Sequence, residues 1–413
     1  MDLQLRAHAD KIINGAIRAV QPDEAVARAL RGTEFPGRVV LVAAGKAAWQ
    51  MAKAAYDCLG TRIEGGVVVT KYHHVKGKIA NFTCWEAGHP VPDENSFRGT
   101  QAALDLVTGL TEKDTVLFLL SGGGSALFEK PLVPGEVLQD ITGQLLACGA
   151  NIVEMNTIRK RLSGVKGGRF AEYCAPAKVF SVVLSDILGD PLDMIASGPA
   201  CPDNSTCAQA VAIAKKYQLQ LSDMVWALLE QETPKALSNV TTRITGSVRQ
   251  LCSAAEAICT ELGYTPILLT DQLCCQAKEA GSFLASVLKT HAGSKKNLAF
   301  LAGGETVVQV TGTGLGGRNQ ELALAAAEGI AGISGAAVFS IGSDGTDGPT
   351  DAAGGYVDYQ TAEALRAQGV EIYRVLQDND AYHALQKVDG LIITGPTGTN
   401  VNDVAVALLR QGE

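Results

Sequence analysis

Short runs of apolar residues recur along the chain and alternate with segments of helical periodicity. In the first half, these runs lie at residues 39–45, 66–70, 115–120 and 179–186. Continuous apolar runs of this length are typical of strands in a parallel sheet that is covered by helices on both faces. The pattern therefore predicts an α/β fold for the first half, with strands and helices alternating along the chain.

The same alternation returns in the second half of the chain. It predicts a second α/β domain, because strands and helices again follow one another at short intervals. The predicted strands lie at residues 265–270, 297–304, 337–345 and 390–395, with helices beginning near Ser247, Gln276 and Gln320, and the last apolar run, DVAVALLR at 403–410, is predicted to be a helix.

A polar, weakly patterned stretch at residues 234–247 separates the two halves. A drop in apolar density of this kind is typical of a domain boundary. We therefore expect a Rossmann-like domain with a parallel sheet at residues 1–240 and a second α/β domain at residues 241–413. We also expect the active site to lie in a cleft between the two domains.

Length and charge exclude several classes of protein. The chain has 413 residues, which suffice for two or three domains of about 100–200 residues each. Its 43 acidic residues outnumber 35 Lys and Arg residues, so that the formal net charge is −8. Since an acidic protein offers no overall basic surface to a phosphate backbone, we do not expect nucleic acid as a partner.

The apolar runs and the cysteines indicate the cellular compartment of the protein. No run approaches the roughly 18 apolar residues that a membrane-spanning helix needs, and the N-terminal residues contain no apolar region suited to a secretory signal. The ten cysteines include no C-x-x-C pair, so neither a zinc cluster nor a dithiol redox site is indicated. We expect a cytoplasmic protein without a membrane partner.

A glycine-rich turn follows the predicted strand at 115–120. Glycines allow backbone N–H groups to approach an anion closely, and ligands of open α/β sheets bind beyond the carboxyl ends of strands. The turn is therefore predicted to hold a phosphate or a carboxylate, although an ordinary tight turn is the alternative. Its residues are Ser121, Gly122, Gly123, Gly124 and Ser125.

Lys46 follows the first predicted strand, in the sequence GKAA at 45–48. The sequence is not a Walker A motif, because Ala47 follows the lysine and position 40 carries no glycine. A lysine at a strand end still favours contact with an anion. Lys166, beside the glycine pair of GVKGGR, is a weaker candidate for phosphate binding, because a lysine near a turn is usually only solvated.

Carboxylates follow the predicted strand at 179–186. Asp186 and Asp190 would suit Mg²⁺, which is bound through oxygen ligands and water, or a substrate hydroxyl group. Helix capping and turn formation are the alternative roles for the later aspartates of this loop, Asp193 and Asp203.

The second half contains a formal match to the dinucleotide-binding pattern G-x-G-x-x-G at residues 312–317. It follows a predicted strand, ETVVQV at 305–310, and precedes a helix. Arg318 opens that helix, and an arginine there suits the terminal group of a polyanion better than the close packing that a Rossmann glycine serves. Asn319 is a secondary candidate for phosphate binding, and Glu305 is a secondary candidate for metal binding.

Two further loops carry candidate ligands. Asp344 and Asp351, which follow the strand predicted at 337–345, are predicted to bind a metal or a hydroxyl group, although loop aspartates often only brace turns. Thr399 and Asn400 precede the helix predicted at 403–410 and would bind a small polar ligand or cap that helix.

These loops occur as an ordered set, and the set resembles the class II glycerate 2-kinases, which carry a MOFRL domain at the C-terminus, here about residues 297–408. The resemblance extends from the first predicted strand to the last predicted helix. Its motifs are GKAA at 45–48, EAGHPVPDENS at 86–96, SGGGSAL at 121–127, IRKRLSGVKGGRFA at 158–171, SDILGDPLDMIASGPACPD at 185–203, GGETVV at 303–308, GLGGRNQELAL at 314–324, SDGTDGPTDAAG at 343–354 and TGPTGTNVND at 394–403.

The resemblance implies ATP- and Mg²⁺-dependent phosphorylation of D-glycerate at its 2-hydroxyl group. It places Lys46 and Arg318 in the active site, and it leaves a homodimer open. The sequence departs from the family pattern at Arg161, where a histidine is usual, and at Ala200, where a threonine is usual; the change at Arg161 would alter which acid fits. His89, in GHPVPD, is expected to be a structural histidine that fixes the turn before Pro90.

Two other functions compete with the kinase. The G-x-G-x-x-G match suggests an NAD(P)-dependent hydroxypyruvate reductase. Such an enzyme needs an acidic residue at a strand end about 20 residues further on, to bind the ribose, and the sequence has none there. A sensor that binds a phosphorylated metabolite without turnover would use the same glycine-rich loops.

Overall fold

The computed structural model describes residues 1–411. The chain forms two compact units, each with one six-stranded sheet. The central unit comprises Pro22–Thr245, and the terminal unit comprises Met1–Gln21 together with Gly246–Glu413. The predicted fold class, two α/β domains, is confirmed.

The strands divide between the two sheets at the junction of the units. The first six belong to the central sheet and the others to the terminal sheet. They are β1 (Val39–Ala44), β2 (Ile63–Lys71), β3 (Phe82–Ala87), β4 (Thr115–Leu120), β5 (Lys178–Leu184), β6 (Val240–Gly246), β7 (Thr265–Leu273), β8 (Leu298–Gly304), β9 (Ala336–Gly342), β10 (Gly354–Asp358), β11 (Leu391–Ile392) and β12 (Asp403–Leu409).

Helices connect most of the strands. No helix within residues 1–411 is long and apolar enough to cross a membrane. The helices are α1 (Leu3–Ala19), α2 (Pro22–Leu30), α3 (Ala48–Leu59), α4 (Glu94–Val107), α5 (Gly124–Leu127), α6 (Gly135–Ala147), α7 (Ile152–Arg161), α8 (Arg169–Cys174), α9 (Cys207–Lys216), α10 (Asp223–Leu229), α11 (Val248–Glu261), α12 (Ala277–His291), α13 (Arg318–Ile330), α14 (Thr361–Ala367), α15 (Ile372–Gln377) and α16 (Ala381–Gln386), with 3₁₀ turns at Gly60–Arg62 and Ile195–Ser197.

The central sheet has the strand order β3-β2-β1-β4-β5-β6. The pairs among β1 to β5 are parallel, as predicted. Successive strands run outward from β1 on one side and from β4 on the other, so the strand order reverses between these two neighbours. In open α/β sheets, ligands bind beyond the carboxyl ends of the strands at such a reversal. The loops that follow β1 and β4 therefore lie where a ligand is expected.

Both faces of the central sheet are buried, which explains the continuous apolar runs. Val40 and Val42 of β1 face a core that includes Leu104 of α4, whereas Leu41 of β1 faces a second core with Met51 of α3. Because side chains alternate between the faces of a strand, helices on both sides require apolar residues at every position.

The terminal sheet is mixed, with the order β11-β10-β9-β12-β8-β7. Its strand β12 lies between β8 and β9 and is antiparallel to both. The prediction of a helix at 403–410 is therefore wrong. All seven residues of β12 are buried, and a short apolar run buried on both faces has no periodicity that distinguishes a strand from a helix.

Three other local predictions differ from the structure. Residues 305–310, predicted as a strand, lie outside the strands given above, and Val310 is 77% exposed. The polar stretch at 234–247 contains β6, an additional strand of the central sheet. The strand predicted at 390–395 is reduced to the two residues of β11.

The units also divide the chain differently from the predicted domains at 1–240 and 241–413. Helix α1 belongs to the terminal unit, where it packs against α11. The reason is its amphipathic pattern, which buries Leu5, Ile12 and Ala16 on one face. The partner of that face lies more than 200 residues away along the chain, which local sequence patterns do not reveal.

Candidate functional site

The loops after β1 and β4 are joined by hydrogen bonds at the reversal of strand order in the central unit. The backbone N–H of Lys46 donates to the carbonyl oxygen of Gly122 at 2.8 Å. The backbone N–H of Ala47 donates to the Ser121 hydroxyl oxygen at 3.0 Å. These bonds fix Lys46 beside the glycine-rich turn, and its predicted contact with an anion stays a prediction.

Three candidate side chains lie directly against the glycines of this turn. A Cβ atom at Gly122 would lie 2.1 Å from Oδ2 of Asp186. One at Gly123, where φ is +84°, would lie 3.1 Å from Nε2 of His89 and 3.2 Å from Cγ of Lys46. Only glycine allows so close an approach. The structure thus brings Lys46, Asp186 and His89 together on two adjacent glycines.

The surroundings of His89 are cationic. Burial lowers the pKa of His89, and the positive charges of Lys46, Lys71 and His74 lower it further. His74 lies in the loop after β2, and its Nδ1 is 2.9 Å from the Lys46 carbonyl oxygen. The glycine-rich turn therefore lies beside Lys46 and an imidazole whose protonated form is disfavoured, and the positive charge of the lysines attracts an anionic ligand.

Ser125 belongs to a chain of hydroxyl groups beside the turn. Its Oγ lies 3.1 Å from Oγ of Ser197, which donates to Oδ1 of Asn156 at 3.0 Å. Ser197 is fully buried and has a φ of +62°. The predicted role of Ser125 in anion binding remains a prediction, but its hydroxyl is positioned by buried partners.

Asp190 stands out among the carboxylates of the loop after β5. Its Oδ1 is buried and has no hydrogen-bond partner among residues 1–411. A carboxylate oxygen is costly to bury without a partner. This atom is therefore suited to coordinate a bound cation. A metal-binding role for Asp190 stays a prediction.

Lys166 is placed differently from its predicted role in phosphate binding. Its side chain is fully buried, and its ammonium group makes a very short contact with Glu129, which is also fully buried. It also donates to the Phe128 carbonyl oxygen at 3.3 Å. Burial lowers the pKa of Lys166. These contacts give Lys166 a structural role in the interior.

The two departures from the family pattern also lie in the interior. Arg161 is fully buried and donates to the Thr157 carbonyl oxygen, to Ser205 and to Glu232. Ala200 is 9% exposed. The guanidinium of Arg161 is thus bonded to other protein groups, and in this structure it holds the C-terminal end of α7 against residues 205 and 232.

In the terminal unit, the antiparallel position of β12 brings two carboxylates to one edge of the sheet. Asp403, the first residue of β12, is paired with Gly304 at the end of β8 and with Gly342 at the end of β9. The start of β12 therefore meets the carboxyl ends of both neighbours. Glu305 follows β8 directly, so both carboxylates lie at this edge.

Arg318, the first residue of α13, is held by both of these carboxylates. Its Nε donates to Oδ2 of Asp403 at 2.5 Å and its Nη2 donates to Oδ1 at 3.0 Å, which is a bidentate pair. Its Nη1 donates to Oε1 of Glu305 at 3.0 Å. Burial lowers the pKa of Arg318, but the two carboxylates outweigh burial and raise it overall. The guanidinium is thus permanently charged and fixed in direction.

Asp403 has an unusual protonation equilibrium. Its burial raises the pKa to about 6, against the lowering effect of Arg318, and the charge of Asp347 raises it as well. Asp347 lies nearby and accepts hydrogen bonds from the backbone N–H groups of Asn319 and Gln320 at the start of α13. The first turn of α13 is therefore held by two buried carboxylates.

Asn319 takes part in this support. Its Nδ2 donates to Asp347 at 3.2 Å, and its Oδ1 accepts from the Ser340 hydroxyl at 2.6 Å. The side chain is almost fully buried. Asn319 thus anchors α13 to β9, and its predicted role in phosphate binding stays a prediction.

A cavity of about 600 Å³ opens beside Arg318 within the terminal unit. A cavity of this size accommodates a small organic ligand. Two of the residues predicted to bind metal line it, Glu305 and Asp344. The other lining residues are Thr306, Val307, Val308, Val310, Gly314, Gly316, Gly317, Arg318, Glu321, Thr346, Asp347, Gly348, Pro349, Asn379 and Ala381.

The G-x-G-x-x-G segment has the wrong structure for a dinucleotide fingerprint. The backbone N–H groups of its first four residues are bonded to the loop after α15: Gly312 donates to Oδ1 of Asn379 at 2.9 Å, as does the preceding Thr311 at 2.8 Å. Leu315 donates to Asp380 at 3.0 Å. Side chains at Gly312 and Gly314 would collide with Asp378 and Asp380. Gly312 and Gly314 serve internal packing here, and residues 305–311, which directly precede them, lie outside the strands given above.

Three predicted ligands lie apart from the cavity. Asp351 accepts a hydrogen bond from the Tyr382 hydroxyl at 2.8 Å. Thr399 is buried, and its hydroxyl donates to the carbonyl oxygen of Val20 at 2.9 Å. This bond attaches the C-terminal end of α1 to the loop before β12. Asn400 is exposed and accepts from the backbone N–H of Asn402. Since residues 403–409 form a strand, neither Thr399 nor Asn400 caps a helix there.

Sequence reasoning missed Asp403 and Asp347 as partners of the Arg318 segment. Both lie in motifs that carry the family resemblance, but Asp403 was assigned to a helix, and Asp347 was not selected as a site residue from the acidic loop that supplied Asp344 and Asp351. A correct strand assignment for residues 403–409 would have placed Asp403 at the sheet edge. The expected cleft between the two domains stays a prediction.

Family models match most of both units. A domain of unknown function, DUF4147, matches residues 8–230, and the MOFRL family model matches residues 298–403.

Close relatives share both units. The chain is 54% identical to the D-glycerate 2-kinase of Thermotoga maritima, with 98% of each chain covered. It is 38% identical to the glycerate 2-kinase of Pyrococcus horikoshii, covering 97% of this chain and 96% of the relative. The crystal structure of the glycerate kinase from Thermotoga maritima matches with a TM-score of 0.95 and 52% identity, over 99% of this chain and all of the other. The chain therefore belongs to the glycerate 2-kinase family with a C-terminal MOFRL domain.

Proposed function

We propose that the protein transfers the γ-phosphoryl group of ATP to the 2-hydroxyl group of D-glycerate, with Mg²⁺, and releases 2-phosphoglycerate and ADP. The observation that carries the proposal is the placement of Lys46 against the glycine-rich turn at the reversal of strand order. Family membership supports the same activity, because relatives that match over their full length are named glycerate 2-kinases.

The chemistry requires positioning and charge neutralisation more than covalent help. The negative charge on the transferring phosphoryl group is spread over its oxygens, so ammonium and guanidinium groups stabilise the transition state. Lys46 supplies such a charge beside Gly122 and Gly123. Its backbone is fixed by the bond to the Gly122 carbonyl oxygen, so the side chain starts from a defined point.

Arg318 supplies the second charge. Its bidentate pair with Asp403 and its bond to Glu305 hold the guanidinium plane in one orientation. We assign Arg318 to the phosphoryl group or to the carboxylate of glycerate, both of which suit the planar donor array of arginine.

Carboxylates fit the Mg²⁺ in the proposal. The described residues contain no group of three His, Cys, Asp or Glu side chains that would hold a metal alone, and Mg²⁺ is usually bound by one or two carboxylates together with substrate phosphates. The unpartnered, buried Oδ1 of Asp190 fits this role, with Asp186 as a second candidate and Glu305, Asp344 and Asp351 as the candidates of the terminal unit. Bound Mg²⁺ would neutralise charge on the β- and γ-phosphate oxygens.

The two competing functions receive less support. A reductase needs a dinucleotide site, and in the G-x-G-x-x-G segment the backbone donors of residues 312–315 are already bonded to Asp378, Asn379 and Asp380. A sensor without turnover would not require the orientation of Arg318 by two carboxylates.

A coupled assay of ADP release with Mg²⁺, ATP and D-glycerate tests the proposal, with ³¹P NMR of the product. Formation of 2-phosphoglycerate that depends on all three components is expected. If ADP formation does not depend on glycerate, or if NADH is oxidised with hydroxypyruvate, the proposal fails.

A further inference from the structure

The side chains of His89 and Lys46 lie against the same residue of the glycine-rich turn, Gly123. Nε2 of His89 lies 3.1 Å, and Lys46 Cγ lies 3.2 Å, from the point that a Gly123 Cβ would occupy. Both side chains therefore border the space directly above Gly123. A residue that only fixed the turn before Pro90 would not need its ring on this surface.

The ring of His89 is available to a ligand. It is partly exposed, and neither ring nitrogen has a hydrogen-bond partner among residues 1–411. The groups that disfavour its protonated form are Lys46 from the loop after β1, and Lys71 and His74 from β2 and the loop that follows it. The imidazole is thus a nitrogen base beside lysines that attract an anionic substrate.

We propose that His89 is a catalytic residue that accepts the proton of the substrate hydroxyl group during phosphoryl transfer. The inference rests on the proposed kinase function. As the hydroxyl oxygen of glycerate forms its bond to the γ-phosphorus, its O–H bond breaks and the proton passes to a ring nitrogen of His89. The bond from the γ-phosphorus to the bridging oxygen breaks with its electron pair on ADP, and His89 later releases the proton to water.

The protonation state of His89 suits this role. Burial and the surrounding cations hold the pKa of His89 below its ordinary value of 6.5, so the ring is neutral at pH 7 and can accept a proton. Activity should decline on the acid side as the ring becomes protonated. Asp186, which lies against Gly122, is the competing candidate for the base.

The test compares His89→Gln with wild type and with the control His291→Ala, which removes an exposed histidine of α12. For His89→Gln we expect kcat to fall by about 10²-fold or more, the lower end of general-base effects, with much smaller changes in the KM for ATP and glycerate. The acid limb of the kcat/KM profile should disappear. Imidazole added to His89→Ala should restore part of the activity, which a merely structural role would not allow.

A second measurement avoids the risk that the variant fails to fold. In the wild type, diethyl pyrocarbonate should modify His89, and ADP with D-glycerate should protect it while leaving His291 reactive, as mapped by mass spectrometry. Equal modification of His89 with and without ligands overturns the inference. So does a His89→Gln enzyme that retains the acid limb, particularly if Asp186→Asn loses it. An inactive wild type would instead reject the proposed function itself.

Discussion

Arg318 and Asp403, 85 residues apart in the sequence, form a bidentate pair with N–O distances of 2.5 and 3.0 Å. The pair exists because β12 runs antiparallel between β8 and β9 and so brings its first residue to the start of α13. Asp403 is 8% exposed as a side chain, whereas Arg318 is 33% exposed. The carboxylate thus lies beneath the guanidinium and directs it toward the open cavity.

Replacing Arg318 by lysine tests the importance of this orientation. Arg318→Lys keeps the charge but cannot form the planar pair with Asp403, so we expect kcat/KM for ATP-dependent turnover to fall by about 10²-fold, the usual effect of losing a positioned charge donor. The control is Arg366→Lys, an exposed arginine paired with Glu328, which should retain wild-type kinetics. Equal rates for Arg318→Lys and wild type would show that only the charge matters.

Lys46→Ala tests the central unit in the same way. Because the ammonium group stabilises developing charge, we expect kcat to fall by about 10²–10³-fold, with little change in the melting temperature. Lys53→Ala is the matched control, since the Lys53 side chain is 43% exposed and pairs with Asp57 on the same helix, α3. Steady-state kinetics of both variants measure the difference, and an unchanged kcat for Lys46→Ala contradicts the assignment.

Gly122→Ala tests the close approach of Asp186. The added methyl group would lie 2.1 Å from Oδ2 of Asp186, so the turn or the carboxylate must move, and we expect loss of activity together with a destabilisation of about 1–3 kcal/mol, as overpacking typically causes. Gly143→Ala, in α6, places its methyl group in open space. It should stabilise the protein by about 0.5–1 kcal/mol without affecting kcat. Thermal unfolding and kinetics report both effects, and an active Gly122→Ala enzyme would argue against a tight turn.

The occupied donors of residues 311–315 lead to a prediction about dinucleotides. Fluorescence titration should detect no binding of NADH or NADPH. Asn379→Ala removes the acceptor of two backbone N–H groups and should lower the free energy of unfolding by about 1–3 kcal/mol, the cost of unpaired polar groups. Gln368→Ala, at an exposed site, should have little effect on stability. NADH binding that Asn379→Ala alters would restore the reductase hypothesis.

The buried Lys166–Glu129 pair is expected to matter for stability. Lys166→Met leaves an unpaired carboxylate in the interior and should cost about 3–5 kcal/mol. Replacing both partners, in Lys166→Met with Glu129→Leu, should recover much of this loss, because no buried charge then remains. Chemical denaturation measures each variant. If Lys166→Met keeps its stability and instead raises the KM for ATP, the lysine binds phosphate as the sequence first suggested.

Local pattern was sufficient for much of the architecture and for several candidate site residues that the structure brings together. Continuous apolar runs placed β1, β4 and β5 correctly, because strands buried on both faces must be apolar at every position. Glycine, lysine and carboxylate at the ends of those strands indicated Lys46, Gly122 and Asp186 as candidates, and the structure places the three side by side. These residues can be found from local sequence because each lies within two residues of the end of a parallel strand, and these strand ends share one edge of the sheet.

Tertiary structure alone decided the features that depend on distant partners. Whether residues 403–409 form a helix or a strand depends on the gap between β8 and β9, and that gap also places Asp403 beneath Arg318. The same reason applies to the glycines at 312 and 314, whose pattern suggested a nucleotide but whose neighbours turned out to be Asp378 and Asp380. A sequence specifies which groups are present, whereas the packing of distant segments determines which donors remain available to a ligand.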